Sequence, residues 1–363
     1  MLVSNDFNPD WVSPPGDTII DLMDEVGLSI EELSKQIGLP KSKGQSLIEG
    51  ELDIGDQLAS RLEATFDVSK KFWLSRENAY RKHIVKQEEI NRTWLDSLPV
   101  RDMSKYGWIP KGLTGKKKLM GCLNFFGVDS VSEWLSVYEN RSLPVAFRKT
   151  ASFPTAPLAE LAWLRRAEII SSKNRCYDWD RDLLIDSLND IRCLTVLPDP
   201  RVFIPKLRSI LAACGVSLVI LQTPKGCRAS GATCFFEKDK ATLIMSFRYL
   251  QDDHFWFTLF HEIGHLILHE KEIVRLEGSE SDDSSRIEED EANEFARNVL
   301  IPKEYQSQMK YFSLRNWREI VRFSKRIGIS KGIVLGQLQH MKLIPFSHLN
   351  RLKVKYNREH LGG

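Results

Sequence analysis

In the stretch FTLFHEIGHLILHE, Phe257 to Glu270, three histidines recur at four-residue intervals, His261, His265 and His269, with Glu262 beside the first. On an α-helix, residues four apart share one face and lie about 6 Å apart along the axis. His261 and His265 can therefore aim two imidazole nitrogens at one ion, while Glu262 is turned aside, off the ligand face. This H-E-x-x-H spacing supplies two zinc ligands and a general base for metal-assisted hydrolysis. His269 stands about 12 Å along the axis from His261, too far to share an ion with bonds of about 2.0–2.1 Å unless the helix breaks. It reads as a solvated or structural helix-end residue.

A third ligand has to come from another element. EEDEANEFAR offers Glu288, Glu289, Glu291 and Glu294. Glu289 is preferred because Asn293, four residues on, could support a ligand histidine from behind. Glu291 is the alternative. It is rotated by about 200° from Glu289, so the two cannot share the role. An oxyanion-stabilising side chain is usually needed as well; His254 and Tyr305 are the candidates.

The elements that must position these groups are legible in the surrounding pattern. IPKLRSILAACG reads as a helix, VSLVIL as a buried strand, and SGATCFFEKDKATLIMSF as a hairpin turning at Lys238–Lys240. The histidine helix follows, then the polar loop Glu277–Glu291, read as a lid or, preferably, a plain connector. A glutamate helix halted by Pro302 and two further helical segments in the tail complete the region. A substrate is expected to lie extended along an edge strand near Thr242–Phe247 as an added strand.

Taken together, RASGAT, LIMSFRYLQDDHFWFTLFHEIGHLILH and EEDEANEFARNVLIP resemble the ImmA/IrrE family of zinc metallo-endopeptidases, over roughly Leu207 to Tyr305, and the tail GISKGIVLGQLQHMKLIP is similar to members of that family. The resemblance implies a minimal thermolysin-like (gluzincin) fold. It further implies Zn2+ held by His261, His265 and Glu289, and Glu262 as the catalytic residue. It also implies a regulatory protease that cuts a repressor-like transcription factor. The residues alone leave zinc and manganese both open, tetrahedral N/O ligation favouring zinc.

Upstream, residues 14 to about 85 read as five short amphipathic helices. LSIEELSKQIGLPKSKGQSLIEGELDI has helix-turn-helix spacing, with Ser29 and Glu32 forming a capping box and Gly38 at the turn. The second helix would lead with Lys41, Ser42, Lys43 and Gln45, positions that could meet phosphates and base edges. SPPGDTIIDLMDEVG through FWLSRENAY resembles the HigA-type antitoxin branch of the XRE-like regulators. That resemblance implies binding of double-stranded DNA. Two features oppose it. Gly44 replaces the usual buried aliphatic residue, and glycine inside a helix costs about 1 kcal/mol relative to alanine. Residues 1–70 also hold 14 Asp/Glu against 5 Lys/Arg, a balance of −9 that leaves +11 for the rest of a chain whose net charge is +2. Phosphate attraction supplies most non-specific affinity, and an acidic domain lacks it. Protein docking or homodimerisation is the rival reading.

The expected class is α+β, in three parts: 1–90 an all-α helix-turn-helix domain, 91–200 a helical connecting domain, and 201–363 the metallopeptidase domain with a helical tail. The 363 residues are 42% hydrophobic, enough for such cores, and no apolar run reaches the roughly 20 residues that cross a bilayer. The start, MLVSNDFNPDW, lacks a basic and apolar leader. Six scattered cysteines with no CxxC pair suit free thiols in a reducing compartment. A cytoplasmic protein is expected. The run GKKKLMG reads as a solvated turn, and the tryptophans as core anchors. The reading is a zinc endopeptidase fused to a helix-turn-helix module, acting on a regulatory protein. The alternative is a DNA-binding regulator or antitoxin-like repressor whose metallopeptidase domain senses without cutting.

Overall fold

The computed structural model describes residues 13–140, 155–269, 275–276, 283–357 and 359. Contacts divide the chain into two compact units, Met1–Thr93 and Trp94–Gly363.

The first unit is built from α1 (Pro15–Val26), α2 (Ile30–Gln36), α3 (Lys41–Ile48), α4 (Asp56–Phe66) and the start of α5 (Lys70–Ser97). Ser29 caps α2 reciprocally with Glu32, as the sequence spacing requires. α5 is longer than its amphipathic start over 70–83 suggests and continues past Thr93 into the second unit. Ile19, Leu33, Ile37, Leu47, Leu62 and Trp73 form the core. Gly44 is not a defect in it. A Cβ there would meet Ser34 Oγ at 1.9 Å, so a larger residue would turn that hydroxyl away from its bond to the Ile30 carbonyl. Gly16 is tighter still, since its Cβ would sit 1.8 Å from the Ile48 carbonyl oxygen.

The second unit surrounds a small sheet. Its helices are α6 (Val100–Lys105), α7 (Gly115–Phe126), α8 (Val131–Asn140), α9 (Thr155–Ser171), α10 (Arg181–Asp186), α11 (Leu188–Cys193) and α12 (Pro200–Ala213). β1 (Val216–Ile220), β2 (Gly231–Glu237) and β3 (Lys240–Met245) follow, then α13 (Asp252–Leu268), the two-residue β4 (Arg275–Leu276), α14 (Asp283–Leu300), α15 (Lys303–Met309), α16 (Trp317–Ile327) and α17 (Lys331–His340). The strand order is β1-β3-β2-β4, with β1 and β3 parallel and the other pairings antiparallel. The GKKKLMG run forms about the first two turns of α7, with Gly115, Lys116 and Lys117 exposed, and is not a free turn. α14 begins at Asp283, so the later part of the expected acidic loop is helical, and residues 277–282 lie outside the described residues. No helix among the described residues is long and apolar enough to cross a membrane.

One expectation is overturned. Thr242–Phe247 does not run along an edge, because β3 pairs with β1 on one side and β2 on the other. Its backbone groups are already spent on two ladders, which leaves none for an added strand. The hairpin signal was read correctly; the parallel partner β1, arriving through α12, left no local signature.

The sheet is covered on both faces. Val216, Leu218 and Ile220 join the core that holds α12 and α13. On the other face Ser217 and Thr242 bond to Asn174 and Ser171 at the end of α9, at 2.9 and 2.7 Å. The helices before α12 also reach the site layer. The Arg181 guanidinium donates to the Ile267 carbonyl at 2.7 Å, and Arg192 donates to those of Leu300 and Ile327 at 3.2 and 2.7 Å. Trp94, Trp163 and Trp256 are fully buried anchors.

The contact at Gly16 makes a sharp test. Gly16→Ala should gain helix propensity yet destabilise the chain by about 1–3 kcal/mol, because backbone cannot move aside as a side chain does. A chemical denaturation midpoint equal to or above that of the wild type would remove the claimed contact.

Candidate metal centre

α13 is buried on nearly every face, with 14 of its 17 residues inside. A helix apolar all round belongs in a core. Its N-terminus is clamped by the chain that follows α16. Asp252 accepts hydrogen bonds from Ser330 Oγ and from the Val354 amide, and Asp253 pairs with Lys353 Nζ at 2.6 Å. Gly332 and Gly336 on α17 make room, since a Cβ on either would come within 2.3 and 2.8 Å of those carboxyl oxygens. Burial raises the Asp252 carboxyl to about 6, the bond from Ser330 only partly opposing it.

The C-terminal half of α13 meets α14 through small residues. Ala292, Ala296 and Leu300 are fully buried along one stripe of α14, and a Cβ on Gly264 would lie 3.3 Å from the Ala292 Cα. This close approach projects Glu289 and Asn293 at the histidines. His261 Nε2 and His265 Nε2 are 3.0 Å apart, and the Glu289 carboxylate oxygens lie 3.3 and 3.4 Å from them. Two donors bound at about 2.0–2.1 Å to one tetrahedral ion stand about 3.4 Å apart. The three groups fit a single ion, and they are the one such cluster among the described residues.

The electrostatics favour capture of a cation. Burial would raise the Glu289 carboxyl, but the bonds to His261 and His265 outweigh it and hold it down at about 2. Burial pulls His265 below its ordinary value, despite the opposing pull of Glu289. The site therefore presents an anionic carboxylate and a neutral imidazole at neutral pH.

Both imidazoles are braced from behind. His261 Nδ1 lies 3.2 Å from Asn293 Oδ1. With Nδ1 as the donor, the Nε2 lone pair faces the cluster. His265 Nδ1 lies 3.0 Å from His269 Nδ1, and His269 Nε2 lies 3.0 Å from Glu291 Oε2. The two rivals are thus separated by geometry. Glu289 faces the histidine pair, and Glu291 faces His269. The supporting chain Glu291–His269–His265 was missed by sequence reasoning. The third histidine of the four-residue series was its signal, set aside because it cannot reach the same ion.

Glu262 is 1% exposed. A Cβ on Gly231 would fall 2.6 Å from its Oε1 and 2.8 Å from Thr258 Cγ2, so the first residue of β2 presses its bare backbone against the carboxylate. Gly231 is a second residue that the sequence did not mark. A cavity of about 280 Å³ adjoins this point, with Ser230, Tyr249, His254 and Thr258 in its wall. His254, stacked on Tyr249 at 4.3 Å, lines that cavity, whose wall includes none of His261, Glu262, His265 and Glu289. Tyr305 is not in that wall; its ring packs edge-on against Phe323.

Residues 233–338 match the peptidase M78 family, described as the IrrE N-terminal-like domain. That stretch contains His261, Glu262, His265 and Glu289. It supports a peptidase, and so a hydrolase, in this part of the chain, and agrees with the ImmA/IrrE resemblance there. It covers less than a third of the chain, and the helix-turn-helix segment lies outside it. No curated protein matches the chain. Among solved structures, one described as a hypothetical protein from E. coli is 17% identical, covering 35% of this chain and 99% of its own, with a TM-score of 0.19. A TM-score that low carries no structural argument.

The two glutamates give a direct experiment on the purified protein. Glu289→Ala should lower zinc affinity by at least tenfold, whereas Glu291→Ala, acting through His269, should lower it less. Elemental analysis with a competing chelator measures both. Equal losses, or a larger loss for Glu291→Ala, would reverse the assignment of roles.

Proposed function

We propose that the M78-matching part of the chain is a zinc-dependent endopeptidase, its ion held by His261, His265 and Glu289. The observation that carries this reading is the set of separations between those donors, with a buried carboxylate, Glu262, one residue from the first. Bound there, zinc would supply Lewis-acid chemistry, lowering the pKa of a water and polarising the scissile carbonyl. Glu262 takes the proton of the attacking water and delivers it to the leaving amine. Asn293 and His269 fix the imidazole tautomers, and His254, in the wall of the neighbouring cavity, is the candidate for meeting a developing oxyanion. The substrate is a protein, taken here to be a repressor-like transcriptional regulator. The protein is placed in the cytoplasm, where its six free thiols would stay reduced.

Two variants test the chemistry. Glu262→Gln should keep zinc and lose cleavage by about 10²–10⁴-fold, the range of general acid–base catalysis. Gly231→Ala should also keep zinc and lose at least tenfold in kcat, because the new methyl displaces Glu262. Wild-type cleavage of the target regulator by Glu262→Gln would remove the assignment and leave the regulator reading, in which the domain senses without cutting.

For the N-terminal unit we favour protein docking or dimerisation over double-stranded DNA. Lys41 is paired with Glu31, and Gln45 Nε2 donates to Glu49 Oε1 at 2.8 Å, so two of the four residues expected to lead into the groove are engaged by their own acidic neighbours. Ser42 and Lys43 alone remain exposed and uncommitted there, within a unit of strongly negative balance. A gel shift of promoter DNA with the full chain at low salt should show no retardation. A shifted band that fades with rising salt would restore the DNA reading.

A further inference from the structure

A groove of about 640 Å³ lies beside β1, the terminal strand of the sheet. β1 is its closed floor and presents no free edge, since Val216–Ile220 are at most 8% exposed. Side chains from the flanking helices therefore do any binding there. Arg166 and Ile170 on α9, and Arg208 and Ala212 on α12, reach the wall at four-residue spacing, one face of each helix. Lys105 of α6, with Lys173 and Arg175 just after α9, brings the cations to five, and no lining residue is acidic. The two ends of the groove differ. Tyr106 Oη donates to the Thr223 carbonyl at 3.3 Å and the Lys225 amide donates to Asp102 at 2.6 Å. These bonds hold the Tyr106–Trp108 ring pair where the chain leaves β1. Asn174 Nδ2 donates to Ser217 Oγ at 2.9 Å, which holds Lys173 and Arg175 nearer the strand's start.

We propose that this groove binds a small phosphate-bearing molecule with a flat ring, of the nucleotide class, its ring against Tyr106 and Trp108 and its phosphates among the cations. Cavities for small molecules run to roughly 300–1,000 Å³ and set a few polar groups against an apolar lining. This one has that size, with a floor of Val216, Leu218 and Ile220. Its cations lack the partners that a plain surface would give them. Arg166 Nε is buried without a hydrogen-bond partner, and burial alone pulls Arg166 and Arg208 below their ordinary values, no acid opposing it. Like charges gathered about a recess repel one another and lose hydration, and a multiply charged anion offsets both costs. A rim of charge that served solubility alone would keep its guanidiniums in water, and Arg166 is not so placed. The planar fork of arginine matches phosphate oxygens in pairs. A bare inorganic anion would engage the cations and leave the aromatic end empty, whereas a nucleotide uses both. The groove lies on the β1 side of the sheet and Glu262 rests against β2, so this is a second site and stands whether or not the peptidase reading does.

The test is a calorimetric titration of the full chain with ADP, EDTA being present to strip the metal centre. Binding should saturate and should weaken with salt. Adenosine and inorganic pyrophosphate, each lacking one half of the ligand, should each bind at least tenfold more weakly. Arg166→Gln/Arg208→Gln should lose at least tenfold in ADP affinity while its ligand-free melting temperature stays at or above that of the wild type, because uncompensated charge has been removed. A merely structural pair of arginines would lower it. Tyr106→Leu should cost ADP at least threefold and leave pyrophosphate unchanged. Should the arginine variant not fold, Lys173→Ala/Arg175→Ala, at exposed positions, reads the same charge through a loss of at least threefold. Pyrophosphate bound as tightly as ADP would make this a site for inorganic anions and overturn the nucleotide assignment. Absence of saturable ADP binding, or binding indifferent to both pairs of substitutions, would reduce the cations to a solvated rim. Cleavage is read nowhere in this experiment, so its failure cannot be mistaken for failure of the peptidase assignment.

Discussion

The second unit depends on how closely α13 and α14 approach. Two imidazoles and a carboxylate converge within hydrogen-bond distance where Gly264 packs bare against Phe295 and Ala292 of α14, a Cβ on it falling 3.0 Å from the Phe295 ring and 3.3 Å from the Ala292 Cα. Widening that contact by one methyl group would move Glu289 away while leaving His261 and His265 in place. A buried carboxylate is expensive unless charge or hydrogen bonds compensate it. When their Nε2 atoms donate, His261 and His265 hold Glu289 ionised, and a cation between the three groups would take over that role. The same closeness brings Asn293 behind His261, so one helix contact fixes both a donor and a brace.

Rigidity at the other end of α13 comes from different chemistry. Asp252 and Asp253 reach across to Ser330, Lys353 and the Val354 amide through space left by two glycines of α17. Phe247 and Leu250, both at positive φ, turn the chain from β3 into the helix, and Phe247 stacks on Phe255 at 4.2 Å. Non-glycine residues in that region persist where surrounding packing over-determines them. The histidines thus sit on a rod fixed at both ends, which suits a site whose donors must hold position to a fraction of an ångström.

Much of this was legible beforehand, and the limits have physical causes. The spacing His261–Glu262–His265 and the pairing of Glu289 with Asn293 follow from 3.6 residues per turn, and both survive because the residues concerned lie on single helices. The hairpin of β2 and β3 was legible for the same reason, being local. What was not legible depends on pairing distant in sequence. The parallel partner β1 makes β3 internal, and no periodicity within Thr242–Phe247 announces a strand that arrives after a separate helix. Gly44, read as a weak point on helix propensity, lies against the Ser34 hydroxyl, a contact that only the folded unit reveals. Gly231 escaped notice because a close approach leaves no pattern in the strand that makes it.

The correction to β3 also changes how a substrate could be presented. With both edges of β3 paired, an extended chain near Glu262 cannot use it as a template. The carboxylate rests instead against Gly231, at the start of β2, whose pairing with β4 is confined to Ala232 and Thr233 among the described residues. The cavity walled by Ser230, Tyr249, His254 and Thr258 opens beside that same glycine. A substrate entering by that cavity would pass the first residue of β2, where the absence of a side chain lets the Glu262 carboxylate lie against the backbone.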